Sequence, residues 1–471
     1  ANTMTAKVQD HLFEYEVYIK SYLGGKELKI SNIVSEINMY EDMFGPFMRI
    51  ELVVADAIGL MDKLPIIGDE EIRFEYNITG RRKFYQTFKL FKVTDRTLVK
   101  ARTQAMILHG ITYEGHKNRL QSVYKPFIEM EPDKIVRDVF ENYIWSGIGK
   151  MLRVPVPCKN KVTRVSSGQS PLQLINFLSA ESQANDSPDY KKPSNYVFFE
   201  AADDFYFVFL PYLFEAQVNY EFFLNVPQEK KKFDKSLKKT WPSESIKSMN
   251  FVNNLDHMDE LRRGSYLNEI NIIDPILKRF KMHPIQDKER FQFKYLRDFK
   301  EKLPHLPNSG QEFITENGDV GKGEKPYAAH RRMLMTQIDD IDYLGEGKVY
   351  PEIGYLEGRL SAGDALNAPR ARHKNLNLSL HEMNNLSSQV VEVTIAGDPE
   401  LNVGSLVKLK IPQPTNFEDD ANKFLRLYGQ EATFLVTAIR HIYKGDTDGY
   451  FMVLSCSTES FGEKPAPQRV I

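Results

Sequence analysis

Cysteine and tryptophan are scarce in this chain, which carries 2 of each in 471 residues. Cys158 and Cys456 both lie in apolar, strand-like stretches, so the pattern does not fit a disulfide framework, and two reduced, buried thiols of a cytosol-folded protein are expected. No window approaches the ~18 uninterrupted apolar residues of a membrane-spanning helix. The opening ANTMTAKVQD has neither a basic n-region nor an apolar h-region, so no signal peptide is expected. An excess of one charge is missing too. The net charge is −2 with acidic and basic residues interspersed, which argues against a general binder of nucleic acid or anionic membrane while leaving room for transient DNA contact.

Catalytic signatures are absent as well. No His-Glu-x-x-His helix occurs, and the 10 histidines are scattered, with no pair at ligand spacing beside a cysteine. Gly-x-Ser-x-Gly is missing; Ser166 to Pro171 (SSGQSP) only opens a helix. Gly318 to Glu324 has the glycine spacing of a phosphate loop but Glu where Lys must stand, and no strand is expected to lead into it. Asp339-Asp340-Ile341-Asp342 offers carboxylates for a hard cation but lacks the glycine and distal Glu of a calcium loop, so it reads as a solvated acidic turn. A carboxylate pair able to cleave glycosides cannot be picked out among so many Asp and Glu. We therefore assign no catalytic residue, no cofactor site and no metal site.

What the chain does have is Phe and Tyr, 30 and 23 of them, which suits β-rich architecture and large packed interfaces. Its length suggests three or so domains. The stretch Ser31 to Ile78 reads as two strands joined by a compact loop. In the first, Met48, Ile50, Leu52 and Val54 alternate with Arg49 and Glu51; in the second, Ile72, Phe74, Tyr76 and Ile78 alternate with Arg73, Glu75 and Asn77. Gly68-Asp69 is the turn that sets the second strand's start. The same logic returns from Val390 to Ile411. There a β-branched run ends at Gly397-Asp398-Pro399, a short connection ends at Gly404, and Val407, Leu409 and Ile411 face away from Lys408 and Lys410. A strand pair follows each copy, Phe84 to Thr94 with Ala101 to Glu114, and Ala432 to Tyr443 with Tyr450 to Glu459. The repeat is one of pattern, not of letters. Gly68 and Gly404 are expected to occupy equivalent turns.

Between the copies the character changes. Asp133 to Ile144 places Ile135, Val136, Val139, Phe140, Tyr143 and Ile144 on one helical face, with Pro132 at the first turn. Ser170-Pro171-Leu172-Gln173 has a capping-box pattern and opens a second helix burying Leu174, Phe177 and Leu178. Tyr196 to Glu200 and Phe205 to Leu210 read as a hairpin. The basic run Gln228 to Lys239 reads as a solvated linker, since no aromatic platform accompanies it. Tyr266 to Ile273 is expected to open the last module, which polar Gly- and Pro-rich sequence from about His283 to Ala368 then interrupts. Leu376, Leu380 and Met383 suggest a short helix, though Leu376-Leu378-Leu380 equally fits a strand.

The turns and strands of MYEDMFGPFMRIELVVADAIGLMDKLPIIGDEEIRFEY, of AGDPELNVGSLVKLKI, and of FLVTAIRHIYKGDTDGYFMVLSCSTESF resemble the baseplate central hub protein of contractile-tailed bacteriophages. Together with YKPFIEMEPDKIVRDVFENYI the likeness covers most of the chain outside the insertion. It implies a mainly β chain with two tube-type β-barrel modules and a small α+β domain between them. The domains would be 1–118 (first barrel), 119–245 (middle), 246–285 with 369–462 (second barrel), 286–368 (insertion) and 463–471 (tail). It further implies a non-enzymatic homotrimer that presents six quasi-equivalent barrels to a hexameric tail tube or tube-initiator protein and a threefold face to a trimeric spike. Neighbouring baseplate proteins would surround it and DNA would pass through its lumen. The chain would be assembled in the host cytoplasm, with the spike as a separate chain. The structural turns carrying the two modules would be Gly68, Asp69, Gly397, Asp398 and Gly404. A tail-associated cell-wall hydrolase, a host-binding adhesin, and the hub of a secretion or bacteriocin-type contractile machine are the competing readings.

Overall fold

The computed structural model describes residues 13–25, 27–64, 66–78, 84–100, 103–147, 149–185, 195–224, 245–253, 267–274, 279–286, 312–314, 320–322, 330–335, 383, 386, 389–411, 433–444 and 449–458. The first third supplies β1 (Phe13–Lys20), β2 (Leu28–Lys29), β3 (Val34–Asp42), β4 (Arg49–Asp56), β5 (Glu71–Ile78), β6 (Phe84–Lys100) and β7 (Thr103–Thr112), with the short helix α1 (Leu60–Lys63) after β4. The middle supplies α2 (Tyr113–Leu120), β8 (Val123–Met130), α3 (Pro132–Val139), β9 (Leu152–Arg153), β10 (Val162–Gln169), α4 (Pro171–Glu181), β11 (Tyr196–Glu200), β12 (Phe205–Phe209), α5 (Leu210–Phe214) and β13 (Tyr220–Leu224). The last part holds β14 (Ser245–Ile246), β15 (Ser248–Asn253), β16 (Leu267–Asp274), β17 (Arg279–Gln286), β18 (Glu312–Ile314), β19 (Val320–Lys322), β20 (His330–Met335), β21 (Gln389–Ala396), β22 (Leu406–Lys410), β23 (Thr433–Lys444) and β24 (Gly449–Thr458). The mainly β class expected from the sequence is borne out.

Period-2 alternation makes the strands. Val17 and Ile19 of β1, Ile50, Leu52 and Val54 of β4, Ile72, Phe74 and Tyr76 of β5, and Val391, Val393 and Ile395 of β21 are all buried, and they belong to one core shared by the two ends of the chain. The intervening polar residues face outward. Where the sequence suggested two strands between Ser31 and Ile78, three are present. The additional one, β3, breaks the alternation because its Asn38 and Glu41 are polar yet buried.

Fourteen strands form one sheet. Its first half runs β3-β4-β7-β6-β5-β1. Its second half runs β15-β21-β24-β23-β22-β13, which is the same sequence of neighbours. One irregularity matches as well: a bulge interrupts the register between Leu90 and Lys92 of β6, and another between Val436 and Ala438 of β23, whereas the further shifts in β6 after Thr94 and Leu98 have no counterpart in β23. The halves differ at one end, where β1 is antiparallel to β5 but β13, arriving from the middle region, is parallel to β22. They are sewn together by β3 and β23, paired antiparallel from Asp42↔Ala438 to Glu36↔Lys444.

The second half therefore opens with β15, ahead of the expected Tyr266–Ile273 strand. β16 covers that stretch but pairs with β17 and β20 in a separate sheet. The hydrophobic alternation there was real, yet it cannot say which strand becomes the neighbour. Residues Val320–Lys322 of the phosphate-loop near miss are a strand paired to β18, not a glycine-rich cradle. The basic run 228–239, the acidic turn 339–342, Leu376 to Leu380 and the tail 463–471 lie outside the described residues.

The middle region has its own core of Val123, Phe127, Ile135, Val136, Val139, Phe140, Leu174 and Phe205 among others. Pro132 sits at the start of α3, whose last turn widens into a π-turn over Phe140–Ile144. Ser170 caps α4 by the expected box: its hydroxyl accepts from the Gln173 N–H and the Gln173 side chain accepts from the Ser170 N–H. Leu174 and Leu178 are buried as the pattern required, but Phe177 is 48% exposed and Ile175 takes the inward place.

Candidate assembly surface

The seam between the halves buries polar side chains. From β23, His441 Nε2 lies 2.8 Å from Glu41 Oε1 on β3, and His441 Nδ1 lies 2.8 Å from the Tyr450 hydroxyl on β24. Glu41 also accepts the Ala202 N–H at 3.2 Å, which ties the middle hairpin to the same point. The Tyr443 and Tyr450 rings stack at 4.4 Å, and Phe74 meets Tyr443 edge-on at 5.0 Å. Burial pushes both tyrosine hydroxyls well above their usual range, so they remain neutral donors.

A second buried carboxylate holds the middle region to the first half. Glu200 Oε2 accepts from the Met48 N–H at 2.9 Å and from the Thr112 hydroxyl at 2.7 Å, while Lys150 Nζ lies 2.8 Å from Oε1. Burial raises its pKa and outweighs the opposing pull of Lys150. Both carboxylates are used up in fixing the fold. Sequence reading missed Glu41, His441, Lys150, Glu200 and Tyr450. The one signal available was a charged residue on an otherwise apolar strand, and that signal does not name its partner.

Each turn residue singled out from the sequence has a definite place. Gly68 (φ +98°) and Asp69 (φ +75°) form the turn before β5; the Asp69 N–H donates to the Leu90 carbonyl at 2.7 Å, and the Leu90 N–H returns to Glu70 at 2.8 Å. Before β22, Gly404 (φ +89°) donates its N–H to Val436 at 2.9 Å, and the Val436 N–H returns to Ser405 at 2.9 Å. With Glu71 opposite Lys89 and Leu406 opposite Leu435, this register matches Gly404 to Asp69, one residue along from the expected Gly68. The left-handed conformation, not the glycine, is what the two turns share. Gly397 donates to the Tyr450 carbonyl at 2.9 Å, and a Cβ there would fall inside the Tyr450 ring. Asp398 closes the next turn by accepting the Glu400 N–H at 3.1 Å.

Among the described residues no three His, Cys, Asp or Glu side chains gather as a metal site would require. Cys158 and Cys456 are buried and unpaired, as expected; burial pushes Cys158 up to about 12 and raises Cys456 as well, so neither is a nucleophile at neutral pH. No helix among the described residues is long and apolar enough to cross a membrane. Exposed large apolar side chains include Phe91, Leu98 and Val99 on β6 and Val252 on β15, alongside others on turns and helices such as Leu23, Ile67 and Leu120.

No protein-family model matches the sequence, and no curated protein sequence does. In fold, however, it is similar to the 43 kDa tail protein of prophage MuSo2 from Shewanella oneidensis, with a TM-score of 0.50 and 10% identity over 96% of this chain and 100% of that one. The tail protein from Neisseria meningitidis MC58 gives a TM-score of 0.49 and 11% identity over 95% and 98%. The E. coli c3393 protein, a component of the type VI secretion system with structural similarity to the T4 bacteriophage tail proteins gp27 and gp5, gives 0.38 and 10% over 92% and 76%. The structural neighbours are thus phage tail proteins and a type VI secretion component, and the MuSo2 protein shares the fold along its whole length.

Proposed function

We propose that this protein is a structural subunit of a phage-type tail, the central hub of its baseplate, with no enzymatic activity. The observation that carries the reading is the repeated strand order within a fold shared end to end with a phage tail protein. A chain with two similar half-sheets offers two similar faces, and three such chains offer six. That number suits an adaptor between a hexameric tail tube and a trimeric spike, with a lumen for genome passage. The two half-sheets correspond to two tube-type domains flanking the α+β middle, and the separate sheet of β16, β17 and β20 belongs to an insertion in the second.

The test is the mass of the purified chain by light scattering, together with ring views by electron microscopy. Trimeric rings with pseudo-sixfold outline are the expected result, and a monomer at micromolar concentration would overturn the hub reading. A zymogram on peptidoglycan is expected to stay blank. Clearing abolished by one Asp or Glu substitution would establish the hydrolase reading instead.

A further inference from the structure

The seam inside the chain has a counterpart on which, among the described residues, no strand lies. Matching the halves by their hydrogen-bond register sets β6 against β23, β7 against β24, β4 against β21 and β3 against β15. Val436, opposite Cys456, corresponds to Leu90, opposite Gly110, and both are followed by a bulge. Beyond that bulge β23 carries β3 along its outer edge. The same stretch of β6, from Lys92 onward, pairs with β7 on one side, and among the described residues no strand pairs with it on the other. In turn β15, the counterpart of β3, pairs with β21 alone among the described residues.

Burial records the difference at matched positions. Tyr443, opposite Gln104's counterpart Tyr450, is fully buried where β3 covers the edge, whereas Leu98, opposite Gln104, is 76% exposed. On the other strand, Asn38 opposite Glu51 is 4% exposed, while Asn250 opposite Glu392 is exposed. Val99 and Val252, at 61% and 57%, add exposed apolar surface beside each edge, while Lys92, Asp95 and Arg96 keep the rest of the β6 edge polar. An open strand edge invites strand addition.

We infer that the β6 edge of one copy, at Thr97–Leu98 beyond its second bulge, pairs antiparallel with β15 of a second copy, at Met249–Asn250, in the register that β23 and β3 use within the chain. Carrying Ile442↔Asn38 and Tyr443↔Ile37 across the match places Thr97 opposite Asn250 of the next copy and Leu98 opposite Met249. The two edges are different surfaces, so the contact is head-to-tail and either closes into a ring or propagates. Internal and intermolecular seams then alternate around one continuous sheet. The inference rests on the proposed hub reading for the number of copies, three, and on the register alone for which residues meet.

The test is directed disulfide formation in the full-length chain. Thr97 and Asn250 are exposed, and the native cysteines are buried, so T97C/N250C leaves the core untouched. L98C/M249C is the adjacent pair; since directly opposite residues alternate between a wide and a close spacing of roughly 4.5 Å, one of the two pairs has the close geometry. Under mild oxidation one double variant is expected to give covalent dimers and closed trimers on a non-reducing gel. T97C mixed with N250C should give dimers at most, and each single variant alone should give none. Leu98→Glu is expected to convert the trimer to monomer, with an unchanged far-UV circular dichroism spectrum. A trimer that cross-links in neither pair, or cross-links through T97C alone, or survives Leu98→Glu, would overturn this pairing and leave the hub reading standing. A monomer without cross-links would overturn both.

Discussion

His441 reaches across the chain's internal seam to Glu41, Nε2 to Oε1 at 2.8 Å, although they stand 400 positions apart in sequence, and each is only 1% exposed. Removing one member leaves the other buried without its partner, which costs about 3 kcal/mol or more in such pairs, whereas replacing both by apolar groups often costs far less. His441→Leu and Glu41→Leu should therefore each destabilise strongly, and the double variant should lose clearly less than their sum. Urea melts of the four proteins measure this. Strict additivity would show that the pair is not coupled.

Glu200 makes stability depend on pH in an unusual direction for a carboxylate. Its folded pKa is raised by burial, so the native state holds that proton at pH values where the unfolded chain has released it. Its contribution is complete below the ordinary carboxylate range and is lost as pH rises through the folded value, with a slope of at most about 1.4 kcal/mol per pH unit. Glu200→Gln should remove that part of the slope while keeping an acceptor for Met48 and Thr112. Thermal melts of both proteins from pH 4 to 8 are the measurement, and parallel curves would refute the assignment.

Gly397 has no room for a side chain, because its Cβ position is taken by the Tyr450 ring, whose hydroxyl is held by His441. Gly397→Ala should cost on the order of 1–3 kcal/mol, the range for forced overpacking. Pairing it with Tyr450→Leu should recover part of the loss in denaturant titrations. An unchanged midpoint for Gly397→Ala would contradict the close approach.

The turn before β22 should accept what its counterpart already contains. Asp69 holds φ +75° where Gly404 holds +89°, and Asn and Asp are the side chains that visit this region most readily. Gly404→Asn should therefore cost no more than about 1 kcal/mol, while Gly404→Val, β-branched and facing Phe199 and Leu213, should cost roughly 1–3 kcal/mol. Equal midpoints for the two variants would show that the conformation is not what matters there.

Local signals carried much of this molecule. Alternation at Ile50, Leu52 and Val54 and at Ile72, Phe74 and Tyr76 marks strands because a half-buried strand must put every second residue inside. Pro132 and the Ser170–Gln173 box mark helix starts because the first backbone N–H groups of a helix need partners that only such residues provide. The repeated order of strand, turn, strand and hairpin was legible in the same way, since each element is specified within a few residues of itself. Which edge meets which is not specified locally. That β3 lies on β23, that β16 leaves the main sheet, and that Glu41 faces His441 were decided only when the two halves of the sheet closed around their shared core, because backbone edges carry the same donors and acceptors at every position and strands choose partners by the burial they gain together.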